Sequence, residues 1–596
     1  MKRFHLPTLA LLALVSSLTA NANVVSEQKA RKIAENFLSG APTRAGSGQI
    51  KLLWNGESAS TRTAADPAFY IYSREGGGFA IVSGDDLTHP ILGYSYSNDF
   101  SVEDMPENLT AWLSELRNAI NEERKIGTKA TLEIANEWVA ASVKTRAGDT
   151  IPTAVLHETA KFNQGKPFNR YCPIFKDTGK QGIVGCVNVA VGILMYYHKY
   201  PDGLHTTIPG WETSNYVVDT CYAGHAYEWD KILPSYKNVE YTDEQANAVS
   251  RLLADVATLS LSSFSKAGTG AFTSDAMRGL MKYEGYSQSI YSLARTYYTV
   301  EGWRKVLKAE LATQPMVYTF QSGGDGHCVV YDGYDEMENM HINFGWAGQS
   351  DGYYCNDITS TTSPNGWVKE HKGFFNVKPA GTETSDPVFI MGLQGKGLVK
   401  SNSTGAILSG KSFKVNFSVT NISTSDAALK EEIVVALCNK NEELVETVST
   451  PVSTTVARGK YSEYSNITCK IKSPIKYGDM LMVFYRDKGK EMDWKPTVYD
   501  KHSSGISGCI HLTDSLAVEE GTTLVYDKAT GTYSMDYSAD ATATLYDADG
   551  NDTTEGFSGR FGKILINTPE MKPGKYTLKI SANTYEDIFS LTFKVK

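Results

Sequence analysis

Residues 181–201 read QGIVGCVNVAVGILMYYHKYP, an apolar segment with one cysteine near its start. Apolar side chains recur in it at helical spacing, at Val187, Ala190, Val191 and Leu194. Pro201 stands beyond the last of them, where a helix would already have ended. The pattern therefore predicts a helix that begins near Cys186.

Cys186 follows Gly185 and would lie at the N-terminus of this helix. Unpaired backbone N–H groups and the positive end of the helix dipole stabilise a thiolate at such a position. A lowered thiol pKa is what a cysteine nucleophile requires. A buried structural cysteine is the commoner use of this position, so the segment alone leaves both interpretations open.

A second segment, GGDGHCVVYDGY at residues 323–334, places His327 between a glycine-rich stretch and an apolar strand. Asn343 and Trp346 follow in NFGWAG, residues 343–348. Two strands joined by a turn would bring Asn343 back near His327, where its carbonyl could orient the imidazole and Trp346 could shield the contact from water. Cysteine, histidine and asparagine in this order are typical of a cysteine protease.

The composition of the chain limits the class of protein. It has 596 residues, enough for several domains, and its 41% hydrophobic content allows packed cores. The formal net charge is −9, from 58 basic and 67 acidic residues, and no basic run occurs. This balance disfavours a nucleic-acid partner.

The N-terminus has the pattern of an export signal. Lys2 and Arg3 precede the apolar run LPTLALLALVSSL, and Ala20-Asn21-Ala22 follows it. A signal peptide over residues 1–22 is the prediction, with a membrane anchor as the alternative. Because the run is shorter than the roughly 20 residues that span a bilayer, and no other such run follows, we expect a secreted, periplasmic or cell-surface protein without a membrane span.

Four regions follow the predicted signal. Residues 23–146 show two amphipathic helices, one capped by Ser26, and short strands, and end in a polar linker at Val143–Asp149. Residues 147–380 mix helices and strands, with a capping box at Thr242. Residues 381–515 read as an Ig-like β-sandwich and residues 516–596 as a second β module, with a sorting tail at Gly574–Lys596 as an alternative for its end.

The eight cysteines are too few for a disulfide framework and show no C-x-x-C spacing, so neither a structural zinc site nor another metal or cofactor is predicted.

Several segments together resemble the streptopain family of papain-like cysteine peptidases secreted by bacteria. The similar segments are GCVNVAVGILMYYHKYP (185–201), GHCVVYDGYD (326–335), HINFGWAGQSDGYY (341–354), FNQGKPFN (162–169), YEWDKILPSY (227–236) and LLADVATLSLSSFSKAGTGA (252–271). The resemblance implies an α+β fold: a papain-like catalytic domain after a small α+β inhibitory propeptide, with the two β modules as extensions of the kind carried by members from Bacteroidetes.

The resemblance also implies the roles of individual residues. Cys186 is the nucleophile, His327 is the general base and acid, and Gln164 completes an oxyanion hole with the Cys186 backbone N–H. Asn343 lies where papain-like enzymes orient the imidazole, and Trp346 matches the second tryptophan of the family's N-W-G-W-G run.

The sequence departs from the family at two positions. Phe344 replaces the first tryptophan of that run, and Asn188 replaces a small residue after the nucleophile. Outside the site, His198, His225 and His341 are expected to be structural, and Gly268 and Gly270 are candidates for residues that flank substrate.

The sequence therefore predicts the zymogen of a cysteine endopeptidase, with protein or peptide substrates and its own propeptide as an intramolecular inhibitor. One alternative is a weak or inactive homologue that acts as an adhesin, through a host or surface ligand of the β modules. Another is a thiol acyltransferase that uses the same chemistry with an amine acceptor.

Overall fold

The computed structural model contains one long antiparallel sheet that runs from the N-terminal region into the predicted catalytic region. The strand order is β1-β2-β3-β4-β14-β13-β12-β11-β15, and β5 pairs with β12. The N-terminal region contributes α1 (Glu27–Leu38), β1 (Ile50–Trp54), β2 (Phe69–Arg74), β3 (Phe79–Ser83), β4 (Ile91–Ser95), α2 (Glu107–Ile126) and α3 (Leu132–Ala141). It therefore does not form a sheet of its own.

The structure describes residues 24–39, 48–54, 66–103, 105–127, 130–143, 150–358, 370–381, 386–401, 407–426, 429–476, 478–488, 494–503, 505–512, 524–528, 530–537, 541–560, 563–582 and 588–595. The predicted signal peptide lies outside them, as does the predicted linker except for Val143.

The described residues fall into two compact units, one of residues up to 286 with 298–379, and the other of residues 287–297 with those from 380 onward. The remaining elements of the first unit are β5 (Thr153–Leu156), α4 (Cys186–His198), β6 (Trp211–Glu212), β7 (Val217–Val218), α5 (Asp243–Leu259), β8 (Ser263–Phe264), β9 (Thr269–Gly270), α6 (Thr273–Tyr283), α7 (Val300–Leu311), β11 (Met316–Ser322), β12 (Asp325–Asp335), β13 (Met340–Asn343), β14 (Gly352–Tyr354) and β15 (Lys372–Phe375).

Local sequence signals explain the helices of this unit. Ser26 caps α1 by accepting the Lys29 N–H, and Thr242 with Gln245 forms the predicted capping box of α5. The predicted helix at Cys186 is confirmed as α4, a helix that is buried along most of its length. Strands β1 and β4 and helix α3 were not predicted from the sequence.

The described part of the second unit consists of β structure, as the sequence predicted for this part of the chain. It has one hydrophobic core in residues 391–485, beside a smaller cluster in residues 434–484, and a second core in residues 535–595. Its strands are β10 (Tyr291–Ala294), β16 (Met391–Leu393), β17 (Val399–Lys400), β18 (Ser412–Asn421), β19 (Leu429–Cys438), β20 (Leu444–Thr447), β21 (Val452–Val456), β22 (Tyr461–Lys470), β23 (Met480–Asp487), β24 (Lys495–Pro496), β25 (Ile510–His511), β26 (Val525–Asp527), β27 (Thr532–Asp536), β28 (Ala541–Tyr546), β29 (Phe557–Arg560), β30 (Lys563–Asn567), β31 (Gly574–Ala582) and β32 (Ile588–Val595). The segment Gly574–Lys596 contributes the paired strands β31 and β32 to the second core.

Helices with the length and apolar character needed to cross a bilayer are not found in the described part of the chain.

Candidate active site

Cys186 is the first residue of α4, and the backbone before it needs glycine. Gly185 has φ of +92°, and a Cβ there would lie 2.8 Å from the Thr269 carbonyl oxygen. The close approach of the β9 backbone therefore fixes the start of the helix.

The state of the Cys186 thiol in this chain differs from the sequence-based expectation. Burial raises its pKa, although the backbone N–H groups of Cys328, Val187 and Cys186 itself act to lower it, and the Glu107 carboxylate adds a smaller upward effect. The expected lowered pKa is thus wrong for the uncut chain, because desolvation of the thiolate outweighs the helix N-terminus.

Gln164 lies beside the start of α4. The Val184 N–H donates to the Gln164 carbonyl oxygen at 3.0 Å, which ties Gln164 to the backbone two residues before Cys186. Gln164 is buried, and within the described residues its side-chain amide has no hydrogen-bond partner. An amide held there is available as a donor to a ligand next to Cys186.

His327 lies on a hairpin formed by β11 and β12. Gly323 and Gly324, both with positive φ, make its two-residue turn, and His327 is directly opposite Phe320. The His327 and Phe320 ring centroids are 5.5 Å apart. Burial lowers the pKa of His327, with an opposing effect from Asp325.

His327 and Cys186 do not form a pair in this structure. Successive side chains on a strand point to opposite faces, and it is Cys328, the next residue, whose thiol is near Cys186 and Thr273. No hydrogen bond joins Cys186 to His327 among the described residues. The expected Cys186–His327 cleft is therefore not assembled in the uncut chain.

Asn343 is also not at His327. It pairs with Val330, three residues further along β12. Its side-chain N–H groups donate to the Thr159 hydroxyl and the Ala160 carbonyl oxygen, each at 3.0 Å, and its Oδ1 accepts the Gly345 N–H. The expected contact between Asn343 and the imidazole is thus absent here, because the register of β12 and β13 sets the two residues about 10 Å apart along the strand.

Phe344 and Trp346 follow Asn343 in a tight turn. Phe344 is buried, with its ring 5.3 Å from that of Tyr354, and its N–H donates to Asp351. Trp346 is partly exposed, and its buried indole N–H has no partner within the described residues.

Helix α2 of the N-terminal region covers the β11–β12 hairpin. The Asn108 side chain donates to the Phe344 carbonyl oxygen at 2.7 Å and to that of Cys328 at 3.3 Å. Trp112 is buried, and its ring packs edge-on at 5.2 Å against Phe320, which in turn contacts His327. The two anchors of α2 therefore contact the two segments that carry His327 and Asn343.

A second attachment of the N-terminal region is the pairing of β4 with β14. Gly93 is opposite Tyr354, and a Cβ at Gly93 would lie 2.8 Å from the Tyr354 ring, so only glycine fits. The Tyr94 hydroxyl donates to the buried Asp335 carboxylate at 2.7 Å. Burial raises the pKa of Asp335, although its hydrogen bonds oppose that effect.

The other histidines and Asn188 have structural partners, as expected. His198 bonds to the Val377 carbonyl oxygen, His225 to Asp255 and His341 to Asp332. Asn188 is fully buried and donates to the Val184 carbonyl oxygen and the Ser262 hydroxyl. A Cβ at Gly268 or at Gly270 would meet open space.

Several polar residues near the site were missed by the sequence analysis. Asn108 in α2 carried no motif, and the ion pair of Lys161 with the buried Asp351, at 2.9 Å, joins residues far apart in the chain. Only the tertiary structure brings such residues together. Within the described residues no cluster of His, Cys, Asp and Glu has a metal-binding arrangement.

Comparison with known proteins identifies two families in the chain. Residues 162–354 match the Peptidase C10 family, and residues 22–120 match the Spi protease inhibitor family.

Among curated proteins, streptopain of Streptococcus pyogenes is 29% identical over 312 residues, which cover 49% of this chain and 75% of streptopain. The thiol protease/hemagglutinin PrtT of Porphyromonas gingivalis is 25% identical over 514 residues, which cover 82% of this chain and 56% of PrtT. Among solved structures, a fragment of prointerpain A of Prevotella intermedia is 25% identical, with a TM-score of 0.45, over 56% of this chain and 100% of the fragment.

The inhibitor match comes first in the chain and includes α1 and the first part of α2, up to residue 120. The peptidase match follows and includes Gln164, Cys186, His327, Asn343 and Trp346. The order is that of an inhibitory propeptide followed by its protease. The chain therefore contains a peptidase domain of the C10, or streptopain, family after a Spi inhibitor region, and is the zymogen of a papain-like cysteine peptidase.

Proposed function

We propose that the chain is the latent form of an exported endopeptidase in which Cys186 is the nucleophile and His327 the general base and acid. The position of Cys186 at the N-terminus of α4, next to the tethered Gln164, is the observation that carries the proposal. Gln164 and the Cys186 backbone N–H would form the oxyanion hole. Asn343 and Trp346 would support the site from the turn after β13.

The reaction follows from these groups. His327 takes the proton of the Cys186 thiol, the resulting thiolate attacks the peptide carbonyl carbon, and the Gln164 amide and the Cys186 N–H donate to the oxyanion. His327 gives a proton to the departing amine as the C–N bond breaks, which leaves a thioester. His327 then takes a proton from water, whose oxygen attacks the thioester and releases the acid and the Cys186 thiol.

We attribute the inactivity of the uncut chain to the raised pKa of the Cys186 thiol and to the position of His327, since both residues are present. A thiol with a raised pKa is a poor nucleophile, and an imidazole packed on Phe320 cannot take its proton. Release of α2 would free the β11–β12 hairpin from Asn108 and Trp112, so that His327 could approach Cys186.

The finer steps of processing are proposed from the sequence. Residues 1–22 would direct export and be removed, and a later cut within Val143–Asp149, after Lys144 or Arg146, would separate the inhibitory region 23–146 from the catalytic region 147–380. The modules at 381–515 and 516–596 are proposed to bind a host or surface ligand, since the name of PrtT joins a thiol protease with a hemagglutinin.

The assignment of the nucleophile is tested by labelling with iodoacetamide and mapping the modified residue. After processing, we expect rapid modification of Cys186 and peptide hydrolysis that Cys186→Ala abolishes. In the uncut chain the same labelling should be at least tenfold slower, because burial disfavours the thiolate. Cys172→Ala is the matched control and should retain activity. Hydrolysis by Cys186→Ala would reject the assignment.

A further inference from the structure

A series of buried, hydrogen-bonded side chains joins Thr159, five residues before Gln164, to β12 and β13; we call it the polar chain. It begins at His341, whose Nδ1 is 2.5 Å from Oδ1 of Asp332, and continues through the Thr159 hydroxyl, which donates to the other Asp332 oxygen at 2.5 Å. The Asn343 side chain then donates to the Thr159 hydroxyl at 3.0 Å. All four side chains are at most 9% exposed, so each depends on protein partners for its hydrogen bonds.

The ionisation of Asp332 sets the direction of the hydrogen bonds in the polar chain. Burial acts to raise the Asp332 pKa, but His341, Lys161 and the Thr159 hydroxyl lower it, and the net shift is downward. An ionised Asp332 accepts from both His341 and Thr159. The Thr159 hydroxyl therefore donates to Asp332 and accepts from Asn343, which fixes its direction in the chain.

The polar chain is one of several interactions that hold the extended segment of residues 157–164, which we call the Gln164 segment. The His157 N–H donates to the Asp332 carbonyl oxygen at 2.8 Å, and the Ala347 N–H donates to that of Phe162 at 2.8 Å. Lys161 pairs with the buried Asp351, whose other oxygen accepts the Phe344 N–H.

These hydrogen bonds and the Lys161–Asp351 ion pair join the Gln164 segment to β12, β13 and the turn after β13, which are the two sides of the predicted cleft. The Gln164 segment carries the oxyanion donor, and β12, β13 and the turn after β13 carry His327, Asn343 and Trp346. Thr159 is the buried side chain through which Asn343 and Asp332 both act on that segment. Loss of its hydroxyl would leave one Asp332 oxygen and one Asn343 N–H without a partner and would loosen the segment five residues before Gln164.

We propose that Thr159 is a positioning residue for the oxyanion hole, whose hydroxyl, held between Asn343 and Asp332, keeps the Gln164 amide at the N-terminus of α4. In this arrangement Asn343 acts on the Gln164 segment rather than on the imidazole. The inference rests on the roles proposed above for Cys186 and Gln164.

The test separates a reaction that uses the oxyanion hole from one that does not. Peptide hydrolysis passes through an oxyanion, whereas alkylation of Cys186 by iodoacetamide displaces iodide and forms none. Thr159→Val removes the hydroxyl and keeps the side-chain volume. Each full chain is processed in parallel, and the hydrolysis left in processed Cys186→Ala is subtracted.

For Thr159→Val we expect kcat to fall by about tenfold to hundredfold, since an ångström-scale misplacement costs up to about 10²-fold. KM and the rate of Cys186 alkylation should stay within about twofold of the wild type. Thr159→Ser restores the hydroxyl and should recover most of kcat. Thr258→Val is the matched control, because Thr258 is equally buried and makes two hydrogen bonds away from the site, and it should leave kcat unchanged.

If Thr159→Val does not yield folded protein, Lys161→Gln gives the same readout. It removes the Asp351 pair on the same segment, and its side chain is 32% exposed, so the change is better tolerated. We expect a severalfold loss of kcat with unchanged alkylation.

Two failures are distinguishable. An unchanged kcat in the folded Thr159→Val variant, or in Lys161→Gln when that variant is the one used, overturns the inference, as does an equal loss of alkylation and hydrolysis. If processed wild type is not alkylated at Cys186, or Cys186→Ala hydrolyses peptides, the proposed function itself fails.

Discussion

At the residue scale, the proposed catalytic residues differ in whether the uncut chain already holds them next to one another. Cys186 and Gln164 are adjacent because the Val184 N–H binds the Gln164 carbonyl oxygen, and both belong to the region that remains after processing. His327 is held on the other face of its strand by contact with Phe320. In the proposed site, Cys186 and Gln164 would thus be preorganised, and His327 would join them only after a change in the hairpin.

The preorganised part gives the first prediction. Gln164→Ala should lower kcat of the processed enzyme by about 10²–10³-fold and change KM little, because the amide acts on charge that develops in the transition state. Gln245→Ala, which removes a partly exposed amide from the capping box of α5, is the control and should leave kcat unchanged. The measurement is steady-state hydrolysis of a peptide, and a change in KM alone would make Gln164 a substrate-binding residue.

At the element scale, α2 and the β11–β12 hairpin decide whether the site can form. Trp112 packs on Phe320 from one side, and Asn108 binds the carbonyl oxygens of Cys328 and Phe344. Neither anchor is near the predicted cleavage segment in sequence. Latency should therefore be sensitive to changes in α2 that leave that segment intact.

The second prediction tests this directly. In the uncut chain, Trp112→Ala should speed alkylation of Cys186 at least severalfold, because an empty space beside Phe320 lets the hairpin move. Trp112→Phe should retain most of the latency. Lys125→Ala, at an exposed site on the same helix, should behave as the wild type. Equal alkylation of Trp112→Ala and wild type would show that α2 does not hold the hairpin.

A third prediction concerns the packing of α5 on α6. The Tyr227 hydroxyl lies within hydrogen-bond distance of both Asp255, at 3.1 Å, and Glu284, at 2.9 Å. Burial raises the pKa of Glu284 from 4.5 to about 7. Between these values the unfolded chain is ionised at Glu284 while the folded chain keeps the proton. The free energy of unfolding should therefore fall as pH rises through this range, by about 3 kcal/mol in total.

Glu284→Gln should remove that dependence. The amide keeps an oxygen for Tyr227 and carries no charge, so the variant should match the wild type near pH 4.5 and be more stable at pH 8. Denaturant unfolding in the Cys186→Ala background, which prevents self-digestion, is the measurement. His225, whose pKa is raised by its hydrogen bond to Asp255, acts in the same direction in both chains and cancels in the comparison.

Local patterns and long-range contacts were not equally predictable from the sequence. The start of α4 and the cap of α5 depend on neighbouring residues, and both predictions are confirmed. The position of Asn343 depends on a register shift between Tyr331 and Gly333, which no local pattern specifies. The pairing of β4 with β14 joins segments about 260 residues apart and was likewise beyond reach.

At the scale of the whole molecule, the described contacts make the N-terminal region part of the catalytic unit rather than a separate body beside it. Its strands continue the sheet, and Tyr94, Asn98 and Asn108 each donate a hydrogen bond to the catalytic region. A cut in the linker would break one covalent connection and none of these contacts. Cleavage and loss of inhibition are therefore separate events.

The fourth prediction follows from that separation. A chain expressed without residues 1–22 should shorten with time through a cut in Val143–Asp149, and Cys186→Ala should stay uncut unless active enzyme is added. After the cut, the N-terminal fragment should still elute with the catalytic part, and activity should rise only as the fragment dissociates or is degraded. Size-exclusion chromatography with an activity assay measures both. Full activity in the uncut chain would contradict the inhibitory role.

The pairing of β4 with β14 has a consequence for the processed enzyme. Once β4 leaves, the backbone N–H and C=O groups of Gly352–Tyr354 that it had paired become an open sheet edge. Such an edge can accept an extended strand from another chain. The processed enzyme would thus acquire a site of self-association that its precursor keeps closed, and β4 would protect this edge until the N-terminal region dissociates.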